Sequence, residues 1–509
     1  MTFMVEGPGW AKEGLEHASG RYPLRVEAPV LRTVELLVPG ISSVTRYVRY
    51  YALYAALAAH ADEHDLDAAA CRRLLRRGEV VLAGVSIVHD DPDGWPGMAH
   101  GVDRVRPLFG DDLDLGRVAD LDDGDRSYSP RAWGFWEQYG GPNATLGTVT
   151  VDGGALRPAE HPCPAEVREL FAPLWRAADQ DLLDGPRLDE LAALAMQRAE
   201  PPEVPWLRGL FTATVEGRHD PGGWAADDRR RRAAFRMFGR AVVLHGHDLE
   251  QGPEEWVRSA VAFGDQIETD PVLRDLDHVL AWRGLMLRNY SVSAWRRLWA
   301  GLVGSMGPED GSTDRDRDEL RAWLADKMPA GSLRAFLDEL PDTMDGGHPT
   351  PLEREILANA DPKDPLVDVR LLLVGGRRAT ELVGEERTTF LGTRHDILNP
   401  LWVDRLIHDF TDRPMTDLAV RLVDDMLAQA RRVALAKMRP DRNGRMKVFS
   451  RVHERAGRFY KTGDEGDGDI GLRILQLADF AHQLGLVTVT SHGTAAVTPL
   501  GVDLLEVGP

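Results

Sequence analysis

His60 and His64 stand four residues apart in "HADEH", the spacing at which two imidazoles on one helix face can reach a single metal ion, with Glu63 or Asp65 adding a carboxylate. The motif is not HExxH, and no third ligand is identifiable beside it. Metal-dependent chemistry, such as that of a nuclease, is therefore an alternative expectation resting on His60, His64 and nearby acids. No catalytic residue, metal or cofactor is assigned. Just upstream, "TRYVRYYALY" sets Arg46 and Arg49 among Tyr47, Tyr50, Tyr51 and Tyr54. At about 100° per residue the tyrosines share one side of a helix, and the arginines, Leu53, Leu57 and both histidines share the adjoining side. Arginine beside tyrosine can hold phosphate or stack on a base. A tyrosine stripe at this spacing can equally be core, its hydroxyls tied to neighbouring chain.

The largest local departure in charge lies at 431–461, where eleven cationic side chains stand against two acidic ones, a net +9 in a chain of net charge −20. Such separation suits a polyanion. The candidate nucleic-acid-binding residues are Arg439, Arg442, Arg445, Lys447, Arg451, Arg455, Arg458 and Lys461, with Arg46 and Arg49 as secondary candidates and Phe449, Phe459 and Tyr460 available for stacking. The competing reading docks these cations onto the acidic remainder of the chain. A second basic run, "DDRRRRAAFRMFGR" at 227–240, points all round a helix and reads as a solvated, partly salt-bridged face. The chain has no GxxxxGK[ST], GxSxG or GxGxxG, so ATPase, α/β-hydrolase and dinucleotide-binding readings lose their main support.

These residues must be positioned by a chain of 509 residues, long enough for roughly three domains. With 43% hydrophobic and 28% charged residues it has a globular composition. No long apolar run and no signal-like N-terminus is present, which predicts a cytoplasmic protein without membrane contact. Cys71 and Cys163 lack any CxxC partner and read as buried small apolar residues. Helical spacing predicts a helix from Val30 to the Pro39–Gly40 turn and a second one capped by Ser42 or Ser43 and running to about His64. The stretch 68–89 reads as mainly helical, with a strand at 79–88 as the alternative. Residues 90–163 are rich in Gly, Asp and Pro and read as a long irregular connection whose Trp133, Phe135, Trp136 and Tyr139 pack down. Helical patterns dominate 164–415. The tail, "DIGLRILQLADFAHQLGLVTVTSHGTAAVTPLGVDLLE", reads as helix, strand, turn, strand and short helix, the order of a winged helix that takes a further helix from upstream.

Pro39, Gly40, Thr45, Arg46, Arg49, Tyr50, Tyr51 and Tyr54 together resemble the N-terminal signature of an uncharacterised bacterial family associated with defence gene clusters, in which a PG turn precedes a Thr, an Arg-x-x-Arg-Tyr-Tyr run and further aromatics. The resemblance covers about thirty residues and implies no catalytic residues. The expected fold class is mainly α, a multi-helical body with a C-terminal winged-helix-like module and a long irregular loop region. Its expected segments are 1–89 (N-terminal helical), 90–163 (irregular), 164–415 (helical body) and 416–509 (winged-helix-like, with the basic segment 431–461). The expected function is a subunit of a bacterial, anti-phage, DNA-directed system. It would bind nucleic acid, DNA foremost, through the C-terminal region and other proteins of that system through the helical body. The alternatives are the metal-dependent enzyme above and a protein-interaction scaffold without DNA binding.

Overall fold

A computed structural model describes residues 16–18, 20–91, 96–120, 127–197, 201–248, 251–307, 314–361, 363–393, 396–440, 446–490 and 494–508. Helices dominate, and the sheets have two or three strands each. No helix among the described residues is long and apolar enough to cross a membrane. The chain packs as two units, each gathered from separated stretches. The first comprises Met1–Val34, Arg258–Arg274 and His278–Leu472, and the second Glu35–Val257, Asp275–Asp277 and Arg473–Pro509. The span 416–509 is thus divided, its basic segment in the first unit and its helix–hairpin–helix tail in the second.

The second unit is built on the helix Arg49–Glu63, buried on nearly every face because small alanines alternate with Leu53, Leu57 and the tyrosines. The predicted serine cap is not used, and the helix begins at Arg49 rather than near Thr45. The reason is that other groups satisfy the N–H donors ahead of it. The Tyr139 hydroxyl accepts from Arg46 N and Tyr47 N, and the Gln483 side chain accepts from Val48 N. Gly40 turns the chain at φ +81°, and its carbonyl accepts the Tyr51 hydroxyl at 2.7 Å. The helix Ala68–Val88 follows, capped by Asp67, and runs through the stretch for which a strand was the alternative. It is buried all round from Leu74 to Ser86, so packing overrides the β-branched preference of Val80, Val81 and Val85.

The stretch expected to be irregular is made of short elements laid against these two helices. They include Leu115–Ala119, Trp136–Thr145 and the hairpin Val149–Asp152 with Ala155–Pro158, closed by two left-handed glycines, Gly153 and Gly154. Of its aromatic cluster, Tyr139 is fully buried and Trp133, Phe135 and Trp136 are half-buried. Cys71 and Cys163 are free and buried, and burial pushes the Cys163 thiol up to about 12.

The basic run 227–240 forms the helix Ala226–His245, and only part of it is the solvated face expected. Arg231 and Arg232 are buried and Arg240 nearly so. Their guanidinium groups reach the carbonyls left open at the ends of other helices. Arg231 donates to Leu210 O and to Asp228, while Arg232 donates to Thr212 O and Leu504 O, both at 2.8 Å. Arg236 and Arg240 donate to Leu505 O and Gly508 O. One arginine therefore ties the C-terminal end of Val204–Thr212 to that of Pro499–Leu505. Arg232→Met is expected to lower the stability of this unit by about 2–3 kcal/mol, because two buried carbonyls lose their donor. A urea midpoint unchanged from the parent protein would refute that role.

The same helix packs on the tail. Ile474–Gln483, the antiparallel strands Val487–Val489 and Ala495–Val497, and Pro499–Leu505 follow in the expected order. The helix that packs on them, Ala226–His245, comes from far upstream.

In the first unit the 26-residue helix Val279–Gly304 is central and buried over most of its circumference. It packs on Pro365–Glu381 and Gly384–Leu391, and a methyl group at Gly284 would overlap the Glu386 carbonyl, so glycine permits the close approach. Pro365–Glu381 in turn packs on Pro400–Phe410, and Arg317–Ala325 on the long helix Met415–Lys437. Two small sheets follow that last helix. Met446–Phe449 lies between Glu16–Ala18, parallel, and Arg439–Pro440, antiparallel. Val452–Arg455 and Arg458–Lys461 form a hairpin whose second strand also pairs with Arg315–Asp316.

Candidate nucleic-acid interface

The cations of the basic segment fall into two groups in the first unit. Arg451, Arg458 and Lys461 are docked on the unit's own chain. Arg451 reaches Asp464 O and, at 3.5 Å, Glu465; Arg458 reaches Asp314 O and, at 3.5 Å, Glu319; Lys461 pairs with Asp464 at 2.7 Å. Exposed Arg439 and Arg455 have no carboxylate within 4.0 Å among the described residues. Each lies over an aromatic ring, Phe449 at 4.9 Å and Tyr460 at 5.6 Å. Arg442 and Arg445 lie outside the described residues.

Strand register adds a physical point that charge counting misses. Arg439 stands directly opposite Lys447, and Arg455 directly opposite Arg458 across a two-residue turn in which Ala456 and Gly457 both have positive φ. Like charges facing each other across antiparallel strands repel. Each pair has an acidic neighbour on one side, since Lys447 is also the register partner of Glu16 and Arg458 reaches Glu319 at 3.5 Å, so Arg439 and Arg455 are the members turned to solvent without an acidic partner among the described residues.

The end of Met415–Lys437 adds a second basic feature, a cavity of about 570 Å³ whose lining includes Tyr22, Arg25, Arg32, Gln429, Arg432 and Lys437. Lys437 holds the loop 20–25 in place by donating to Arg21 O and Tyr22 O. Tyr22 and Arg25 are both forced to positive φ, 57° and 58°, a costly conformation for side chains of this size. Arg32 pairs with Asp396 at 3.2 Å. Burial lowers the Lys437 pKa, Glu27 raises it and the neighbouring Arg25 lowers it further. Sequence reading missed Arg25 and Arg32 because they lie some four hundred residues from the segment they join. The one available signal was "RYPLRVEAPVLR", a cluster of three arginines that runs into the first helix, Ala28–Leu37.

In the second unit the secondary candidates part company. Arg46 is exposed beside Asp479, whose carboxyl burial pushes up and Arg46 draws down. Arg49 is buried at 3% exposure and bound to Glu203 at 2.6 Å and Ala195 O at 2.7 Å. Arg49 is therefore a structural cation and no candidate for nucleic acid. The four helical-run tyrosines are buried, as is Tyr139, and His100 sits among them.

His60 and His64 do come together, their ring centroids 4.3 Å apart at the edge of a cavity of about 330 Å³. Arg73, Arg77 and Asp179 share that cavity. Among the described residues no group of three or more His, Cys, Asp or Glu is placed to hold a metal ion. Two arginines at the same wall also disfavour a divalent cation.

The tail carries no lysine or arginine after Arg473. Its helix Ile474–Gln483 exposes Leu475 and Asp479, and the hairpin exposes Thr488 and Val489. That stretch thus lacks the lysines and arginines whose phosphate contacts dominate affinity for nucleic acid. The chain matches no protein-family model, no curated protein and no solved structure.

Proposed function

We propose that this chain is a nucleic-acid-binding subunit that engages the phosphate backbone through the first unit. The contacts would run over the hairpins bearing Arg439, Lys447, Arg455 and Arg458 and the neighbouring groove of Arg25, Arg32, Arg432 and Lys437. The observation that carries this reading is that Arg439 and Arg455 are exposed, lie over aromatic rings and, among the described residues, meet no carboxylate within 4.0 Å. The winged-helix-like tail, cation-free and with an exposed Leu475 and Val489, suits a protein partner better than nucleic acid. An anti-phage setting is supported only by the resemblance carried by Pro39 to Tyr54.

Mobility shift over a salt series tests the reading. The double variant Arg439→Glu, Arg455→Glu is expected to weaken binding to short DNA at least tenfold at low salt. It should also make the slope of log K against log salt shallower by about two. The control Arg230→Glu, at a partly exposed position of the helix Ala226–His245 in the second unit, should bind like the parent. Absence of DNA and RNA binding in the parent protein, or equal affinity in the double variant, would leave the scaffold reading, which the docking of Arg451, Arg458 and Lys461 on the chain's own acids favours.

A further inference from the structure

The groove of Arg25, Arg32, Arg432 and Lys437 is concave, and its cations are largely unmatched. The helix Ala28–Leu37 forms one wall, the last turns of Met415–Lys437 another, and residues 393–397 a third. Asp396 is the one carboxylate among its described lining residues, and it faces Arg32 at 3.2 Å and the buried Arg288. Four cations against one acid leave a surplus of three. The two acids that act on Lys437, Glu27 and Glu465, are buried and already face Arg296 at 3.1 Å and Arg451 at 3.5 Å. Arg25, Arg32 and Arg432 are exposed, and none of their nitrogens is sealed from solvent without a partner. Arg432 donates to Gln429 at 2.8 Å, and neither it nor Arg25 meets a carboxylate within 4.0 Å among the described residues. The bonds from Lys437 to the carbonyls of Arg21 and Tyr22 fix the strained backbone at Arg25, so this guanidinium is set at the wall before any ligand arrives.

The rest of the lining is largely apolar, with Leu31, Ile397 and Val433. A volume of about 570 Å³ lies in the range of small-molecule sites, which suits a nucleotide better than a bare ion. A phosphodiester within a strand carries one charge and is tethered on both sides, so a strand that entered this concavity would also have to leave it. A terminal phosphomonoester carries close to two charges on three acceptor oxygens, the anion that several guanidinium forks are suited to hold. Resting on the nucleic-acid reading above, we infer that this groove receives the phosphorylated end of a strand. Arg25, Arg32 and Arg432 hold the terminal phosphate, the apolar residues contact the nucleotide that bears it, and the hairpins of Arg439 and Arg455 take the backbone that follows.

The experiment uses the full chain, fluorescence anisotropy and internally labelled single strands of one sequence that carry a 5′-phosphate, a 3′-phosphate or hydroxyls at both ends. A strand with one of the two phosphorylated ends is expected to bind about tenfold more tightly than the hydroxyl-ended strand, the order of an added charge-assisted contact. The double variant Arg25→Asn, Arg432→Gln should bring that ratio to one, whatever it does to the affinity of the hydroxyl-ended strand. Asparagine tolerates a positive φ and glutamine suits an exposed helix position, so the fold is kept. Arg439→Glu with Arg455→Glu should instead weaken all three strands and keep the ratio. Equal affinity for the three strands in the parent protein overturns the inference and spares the backbone-binding reading. Binding of none of them overturns both. A ratio that survives the change at Arg25 and Arg432 overturns the assignment to this groove. Thymidine 5′-monophosphate is the probe for a free nucleotide, and its Arg25-dependent binding without any preference among the strands overturns the assignment to a strand end.

Discussion

Glu353→Ala is expected to destabilise the first unit by about 3–5 kcal/mol, the cost of leaving a buried guanidinium without its counter-ion. Arg378 is fully buried and Glu353 is 1% exposed. They form a two-point pair, Nε to Oε1 at 2.6 Å and Nη2 to Oε2 at 2.7 Å. Arg378 also donates to Thr343 O and Thr350 O, both at 2.7 Å, so it closes the chain around the short hairpin Met344–Asp345 with His348–Pro349. The effect of losing the carboxylate is large because the arginine cannot turn out to water. Arg378→Met combined with Glu353→Leu should recover part of the loss by removing both charges, though the two carbonyls remain without a donor. Thermal or urea unfolding of the two variants checks this, and a single variant as stable as the parent would refute the pair's role.

The second large effect concerns pH and the aromatic nest of the second unit. Glu79 is fully buried, and burial drives its carboxyl up from 4.5 to about 7 although the Tyr128 and Tyr54 hydroxyls, Phe135 N–H and nearby Arg76 all oppose the rise. His100, against Tyr47, Tyr50 and Tyr139 and near Arg46, is pushed down from 6.5 to about 4 by burial and then by Arg46. Between about pH 4.5 and 7 the folded state holds a proton on Glu79 that the unfolded chain releases, so this group's contribution falls by about 3 kcal/mol as pH rises. Between about pH 4 and 6.5 the unfolded chain binds a proton that folded His100 refuses, so its contribution rises with pH by a similar amount.

The two slopes nearly cancel in the parent protein. Glu79→Gln should expose the histidine, its stability relative to the parent climbing by about 1.4 kcal/mol per pH unit over that window. His100→Asn should show the opposite slope. Urea midpoints at four pH values from 4.5 to 7.5 are sufficient to see it, and parallel pH profiles for all three proteins would overturn the assignment.

How much of this was readable in the sequence differs by residue. The mainly helical class followed from apolar spacing, and the inward tyrosines followed from the placement of Tyr50, Tyr51 and Tyr54 on one face. The missing serine cap did not, because the donors ahead of Arg49 are satisfied by Tyr139 and Gln483, which lie about 90 and 430 residues away. The basic run at 227–240 misled for a related reason. A helix wheel shows that Arg231 and Arg232 point different ways, but not that carbonyls from 210, 212 and 504 wait there. Local pattern reports which face a residue shares; it carries no record of distant backbone groups that need a donor.

The candidate interface shows the same division. Charge density along the chain marked 431–461, since net charge is a property of composition and survives any fold. Which of those cations are open to a ligand depended on partners: Asp464, Glu465 and Glu319 take three of them, while Arg439 and Arg455 are exposed over aromatic rings. Folding also separated what sequence order had joined, sending 431–461 and the cation-free tail into different units, and it brought Arg25 and Arg32 alongside Arg432 and Lys437. Helical periodicity and charge are local sums and so can be read from a string. Burial, ion pairing and the walls of a cavity arise from contacts between residues hundreds of positions apart, which are set only when the chain closes on itself.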